Sequence, residues 1–96
     1  MNKQPPYQFR LYIAGETPNS AQALGNLQAL CRAHLPGQHA IEIVDVFREP
    51  KQALTNGILM TPTLVKLAPA PAIKIVGTLS QPACVLQALG LETVTA

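Results

Sequence analysis

Ninety-six residues with 48% hydrophobic and 12% charged side chains make one small globular domain, too apolar for a disordered chain. The net charge of +2 comes from seven scattered Lys and Arg against five Asp and Glu, without the basic stripe that nucleic acid requires. No apolar run approaches the roughly 20 residues of a membrane span, and no signal-peptide core stands behind Met1 to Pro6, so no membrane partner and a cytoplasmic location are expected.

Residues 1–6 are expected to be flexible. Phe9, Leu11 and Ile13 then alternate with Gln8, Arg10 and Tyr12, which predicts a strand with one buried face. Gly15 breaks it. Thr17 is placed to cap a helix, with Pro18 at its first position, where a missing N–H costs nothing. Leu24, Leu27, Leu30, Cys31 and Leu35 recur at helical spacing until Pro36-Gly37 ends an element of about 18 residues. Ala40 to Val46 reads as a second strand, apolar enough for a sheet interior. A strand, a helix and a strand favour a parallel pair with a right-handed crossover.

Pro50 opens a short helix through Leu54, and Asn56-Gly57 closes it. Pro62 stands directly before Thr63 to Leu67, where a strand entry tolerates proline, and Thr61–Pro62 is a candidate cis bond. Ala68-Pro69-Ala70-Pro71 is a stiff connection. Ala72 to Val76 is then a fourth strand, antiparallel to the third, and Gly77 ends it. Ser80 is the expected cap of a last helix with Pro82 in its first turn and Ala83, Leu86 and Leu89 on its inner face. Residues 85–91 fit a strand alternation as well, so tertiary packing must choose there. The order βαβαββα predicts a thioredoxin-like α/β fold as a single domain over 1–96.

The residues offer no catalytic constellation. Cys31 and Cys84 stand far apart, without the C-x-x-C of a redox thioredoxin, and both are expected as buried small hydrophobes. His34 and His39 fall short of the roughly four ligands of a structural zinc site. Asp45 reads as a solvated strand end or a cap for the next helix. Gly15-Glu16-Thr17-Pro18 is a glycine turn at a helix start without the lysine of a phosphate loop. The expectation is a protein that is not an enzyme and holds no metal or cofactor.

What remains is binding surface. Arg48 and Lys51 lie close in sequence to the apolar Ile58-Leu59-Met60. The first expectation places Leu59 and Met60 in the core, as such residues usually are. The alternative is that this helix and loop dock a partner. Sparse charge also points to association with a partner or a second copy.

Leu11-Tyr12-Ile13-Ala14-Gly15, Thr17-Pro18-Asn19-Ser20, Ile43-Val44-Asp45-Val46 and Ile58 to Leu64 occur in an order that resembles the KaiB family, as do Ile75-Val76-Gly77 and Leu79-Ser80. The resemblance covers about Tyr7 to Leu91. It implies a regulator that binds a KaiC-type ATPase ring and modulates its phosphorylation and ATPase cycle in circadian or stress regulation. It also implies competition with a sensor histidine kinase of similar N-terminal domain, and binding of KaiA where KaiA exists. The partner-binding residues implied are Arg48, Pro50, Lys51, Ile58, Leu59 and Met60.

The resemblance further implies two states. One is thioredoxin-like. The other keeps the N-terminal βαβ half, refolds the C-terminal half and assembles into dimers or tetramers, with Thr61, Pro62, Pro69, Pro71, Ala88 and Gly90 as the residues of the switch. Ala88 favours helix by roughly 1 kcal/mol over the glycine common there, and Gly90 pulls back by a similar amount; the balance favours the thioredoxin-like state. Gln22 and Gly25 in the first helix, and Ile73 before Lys74, depart from the basic residues of clock members and point to a diverged one. Two other readings stand beside this one: a thiol oxidoreductase on the same fold, and a thioredoxin-like sensory module related to a histidine-kinase N-terminal domain.

Overall fold

Seven elements follow one another: β1 (Tyr7–Ile13), α1 (Pro18–His34), β2 (His39–Asp45), α2 (Pro50–Thr55), β3 (Thr63–Ala68), β4 (Ile73–Val76) and α3 (Pro82–Ala88). They come from a computed structural model that describes residues 4–91. Of the expected flexible start, residues 1–3 lie outside the described residues; residues 4–6 carry no strand or helix, and Gln8 Nε2 donates to the Pro5 carbonyl at 3.3 Å.

The sheet order is β2-β1-β3-β4, with β2 parallel to β1 and both β1–β3 and β3–β4 antiparallel. The parallel pair needs the long α1 as its crossover, whereas β3 and β4 are joined by a short turn. Thr61–Pro62, Ala68–Pro69 and Ala70–Pro71 are cis.

Two expectations about the strands change. Because β3 returns along the free side of β1, β1 becomes an inner strand. Phe9 and Leu11 pack with α1 and α3 on one face, and Tyr12 is 1% exposed on the other, against Val44, Ala53 and Ile58. It is therefore buried on both faces, not one. The second strand, read as interior, lies at the sheet edge with a single neighbour. Of its residues only Val44 is buried, and Ile43 is 46% exposed.

α1 begins as the sequence predicts. Thr17 Oγ1 accepts the Ser20 N–H at 3.4 Å, and Pro18 follows in the first turn. Ala23, Leu27, Leu30 and Cys31 face the sheet, and Leu35 ends the helix with its N–H on the Cys31 carbonyl. α3 resolves the ambiguity of 85–91 in favour of helix through Ala88. Ser80 does not cap it. The backbone at Leu79 is left-handed (φ +62) and turns that side chain into the core, so the cap position falls on Gln81, which makes no side-chain cap bond. The inner face is Val85, Leu86 and Leu89, and Ala83 is exposed. The Asn26 amide of α1 holds this turn, donating to the Thr78 carbonyl at 2.8 Å.

Candidate functional site

Three loops meet at the end of the sheet where β1 and β2 finish and β3 begins. Asp45, the last residue of β2, joins two of them. Its Oδ1 accepts the Gly15 N–H at 3.2 Å and the Phe47 N–H at 2.9 Å. Asp45 is thus neither a free strand end nor the cap of α2, whose cap position is Glu49. Gly15 holds a left-handed backbone (φ +58), and a Cβ there would sit 3.4 Å from the Phe47 ring. Glycine meets both demands at once.

At the start of α1, Ser20 is buried. Its Oγ accepts the Ala14 N–H at 3.1 Å and the Thr17 hydroxyl at 2.8 Å. A Cys-x-x-Cys pair at a helix start is how this fold class does thiol chemistry; here the i and i+3 positions carry hydroxyls that bond each other. The two cysteines lie elsewhere. Cys31 is buried in the core, where desolvation pushes its thiol up to about 11. Cys84, expected to be buried, is exposed on the outer face of α3 and donates to Gln81 Oε1 at 3.4 Å. Among the described residues there is no group of three or more side chains arranged to hold a metal.

The third loop follows α2. This helix is six residues long, or about 9 Å, and its buried residue is Ala53. Asn56 and Gly57 turn the chain back, so that the Ile58 N–H reaches the Ala53 carbonyl at 2.9 Å and Ile58 enters the cluster of Tyr12, Val44 and Ala53. Leu59 and Met60 are then directed outward, 88% and 63% exposed. The expectation that both are core is corrected: β3 and Ile58 already fill the space under α2. Thr63 Oγ1 donates to the Met60 carbonyl and fixes the exit into β3.

Arg48, Pro50 and Lys51 are exposed at the start of α2, and the Ile58–Met60 segment lies beyond its other end. The structure places the two groups at opposite ends of one short helix, on the side of the sheet away from α1. Phe47 (72% exposed) and Leu54 (71%) add apolar surface that the sequence reading missed. Lys74 of β4 was also missed as a member of the site. Its Nζ donates to the Asn56 carbonyl at 3.0 Å and lies 3.4 Å from where a Gly57 Cβ would stand.

Of the proline-loop residues, Pro62 is buried and Thr61 half-buried, whereas Pro69 and Pro71 are exposed beyond the other end of β3, Ala88 is exposed at the end of α3 and Gly90 just past it. They do not form one cluster. Away from the site, Arg10 Nε bonds Glu42 Oε1 at 2.8 Å across the β1–β2 register. Bonds to the Tyr12 hydroxyl and to Glu42 raise its already high pKa.

A model of the KaiB domain matches residues 10–91. The chain belongs to the KaiB family. It is 41% identical over 91 residues to the circadian clock oscillator protein KaiB of Prochlorococcus marinus, covering 95% of this chain and 85% of that protein. It is 40% identical to the protein of that name from Synechococcus elongatus, covering 95% and 89%. Among solved structures, the N-terminal domain of Synechococcus elongatus SasA superposes with a TM-score of 0.73 at 16% identity, covering 100% of this chain and 94% of that one. Mitochondrial thioredoxin 3 of Saccharomyces cerevisiae gives 0.69 at 21% identity, covering 93% and 79%. The fold is thioredoxin-like, in the KaiB family.

Proposed function

We propose that this KaiB-family chain is a non-catalytic regulator that docks on a KaiC-type ATPase ring and modulates its phosphorylation and ATPase cycle, in clock or stress regulation. The observation that carries the reading is the pair Leu59 and Met60. Both are large apolar side chains kept in water while Ile58 beside them is buried, 7% exposed. Adjacent exposed apolar residues on a small domain mark a surface for a partner. Arg48 and Lys51, with Pro50 beside them, are exposed at the other end of α2 and would supply the polar rim. The relatives' names place them in the circadian oscillator.

Hydroxyls at Thr17 and Ser20 support a role without thiol chemistry. KaiA or a sensor kinase, where present, would compete or assemble at overlapping surfaces, and the protein would act in the cytoplasm. The second, oligomeric state, with Thr61, Pro62, Pro69, Pro71, Ala88 and Gly90 at its rearranging half, belongs to the same proposal.

Size-exclusion chromatography with light scattering, with and without a KaiC-type hexamer and ATP, tests it. Co-elution with the ring supports the reading, and absence of a complex with every nucleotide sinks it. In the protein-alone run a monomer indicates the thioredoxin-like state, and a dimer or tetramer the rearranged one.

A further inference from the structure

Behind Leu59 and Met60 lies an open groove of about 240 Å³, walled on one side by Gly57, Ile58, Leu59 and Met60 and on the other by Lys74 and Val76 of β4. β4 is the last strand of the described sheet, so among the described residues one side of its backbone has no strand partner. Lys74 and Val76 point to the same face, two residues apart, as strand geometry requires. Val76 is 56% exposed, and Lys74 is exposed as well. The groove is thus apolar at the Leu59, Met60 and Val76 end and cationic at the Lys74 end.

Lys74 Nζ is bonded to a neutral carbonyl, that of Asn56. The ion pair found among the described residues joins Arg10 to Glu42, and among those residues no carboxylate lines the groove. Gly57 offers no side chain to cover the ammonium, which leaves it open to a partner.

We infer that this groove and the β4 edge take an extended segment of the partner protein. That segment carries a carboxylate opposite Lys74 and an apolar side chain two residues away, which enters between Met60 and Val76. The inference rests on the ring-binding reading above and names the chemistry of the segment that the ring must present. A second copy of this chain fits poorly. Antiparallel pairing of two β4 strands with their grooves on the same side sets Lys74 opposite Lys74 or Val76. In the first register two ammoniums stand side by side, and like charges facing each other across a strand pair are destabilising; in the second neither lysine meets a carboxylate. A short edge strand bearing lysine resists self-pairing for this reason. A carboxylate in the incoming strand turns the same lysine into an attraction.

The test uses the full chain and a KaiC-type hexamer with ATP, with two readouts. In hydrogen exchange, the amides of Lys74 and Val76, which face the open edge because those of Ile73 and Ile75 are turned to β3, should slow at least about tenfold in the complex, as newly bonded strand amides do. In binding titrations, Lys74→Glu should weaken the complex by about tenfold or more at low salt, Lys74→Arg should keep it, and the difference should shrink at high salt. Normal binding by Lys74→Glu, or exchange at Lys74 and Val76 that is unchanged while the wild type binds, overturns the inference and leaves the ring-binding reading intact. If the wild type does not bind, both fall. Should Lys74→Glu fail to fold, shown by a lost thermal transition, exchange on the wild-type complex decides alone.

Discussion

The Asp45 carboxylate oxygen accepts the Gly15 N–H at 3.2 Å, a bond that spans 30 residues and fastens the loop after β1 to the loop after β2. The same oxygen accepts the Phe47 N–H, so one atom sets the position of two segments of the candidate site. Replacing Asp45 with Ala leaves two backbone donors without their acceptor in a half-buried position. The expected loss is about 1–3 kcal/mol of stability, and Asp45→Asn, which keeps an acceptor oxygen, should lose less. Urea unfolding followed by circular dichroism measures both, and equal stability of Asp45→Ala and wild type would show that the bond does not hold the loops.

Ser20 Oγ accepts two hydrogen bonds in a site 2% exposed, and Thr17 is the helix cap that supplies one of them. Thr17→Ala should cost about 1 kcal/mol, the usual value of a lost threonine cap. Ser20→Ala also strands the Ala14 N–H and should cost about 1–3 kcal/mol. Because the two hydroxyls bond each other, the double variant should cost less than the sum of the singles. A double-mutant cycle in urea reads this directly; strict additivity would mean the Thr17–Ser20 bond contributes nothing.

Ile58 and its two neighbours should separate stability from binding. Ile58→Ala removes a buried side chain from the cluster around Tyr12 and should cost about 2–5 kcal/mol. Leu59→Ser and Met60→Ser change side chains already in water and should stay within about 0.5 kcal/mol of wild type. If Leu59 and Met60 form the docking surface, the serine variants lose ring binding while their thermal transitions remain unchanged. Destabilisation by the serine variants would return these residues to the core.

The two thiols should differ in reactivity. At pH 8 a disulfide reagent should modify Cys84 in the folded protein and spare Cys31, releasing the second equivalent only on unfolding. Burial lifts the Cys31 thiol from 9.0 to about 11. This group is neutral in both states below about pH 9 and then has no effect on stability. Between its unfolded and folded values the unfolded chain ionises first, binds fewer protons, and is favoured, so Cys31 lowers stability progressively as pH rises from 9 towards 11. Cys31→Ala should remove that component of the alkaline slope. An unchanged slope would assign it to other groups.

The sequence by itself determined the element order. The spacing of Phe9, Leu11 and Ile13, the Thr17-Pro18 start, the Pro36-Gly37 stop and the Pro62 strand entry are local signals, and each acts within a few residues of where it stands. The family likeness was legible for the same reason, through short motifs in a fixed order. Tertiary structure alone decided which side chains face water. The antiparallel return of β3 placed β1 inside and left β2, equally apolar in sequence, at the edge. The left-handed turn at Leu79 moved the start of α3 past Ser80 and left Cys84 outside. The return of Ile58 onto the Ala53 carbonyl filled the space under α2, so Leu59 and Met60 had nothing to pack against. Lys74 joined the site only because β4 lies beside the end of α2. Burial depends on neighbours that arrive from distant parts of the chain, and a pattern of residues along one segment does not contain them.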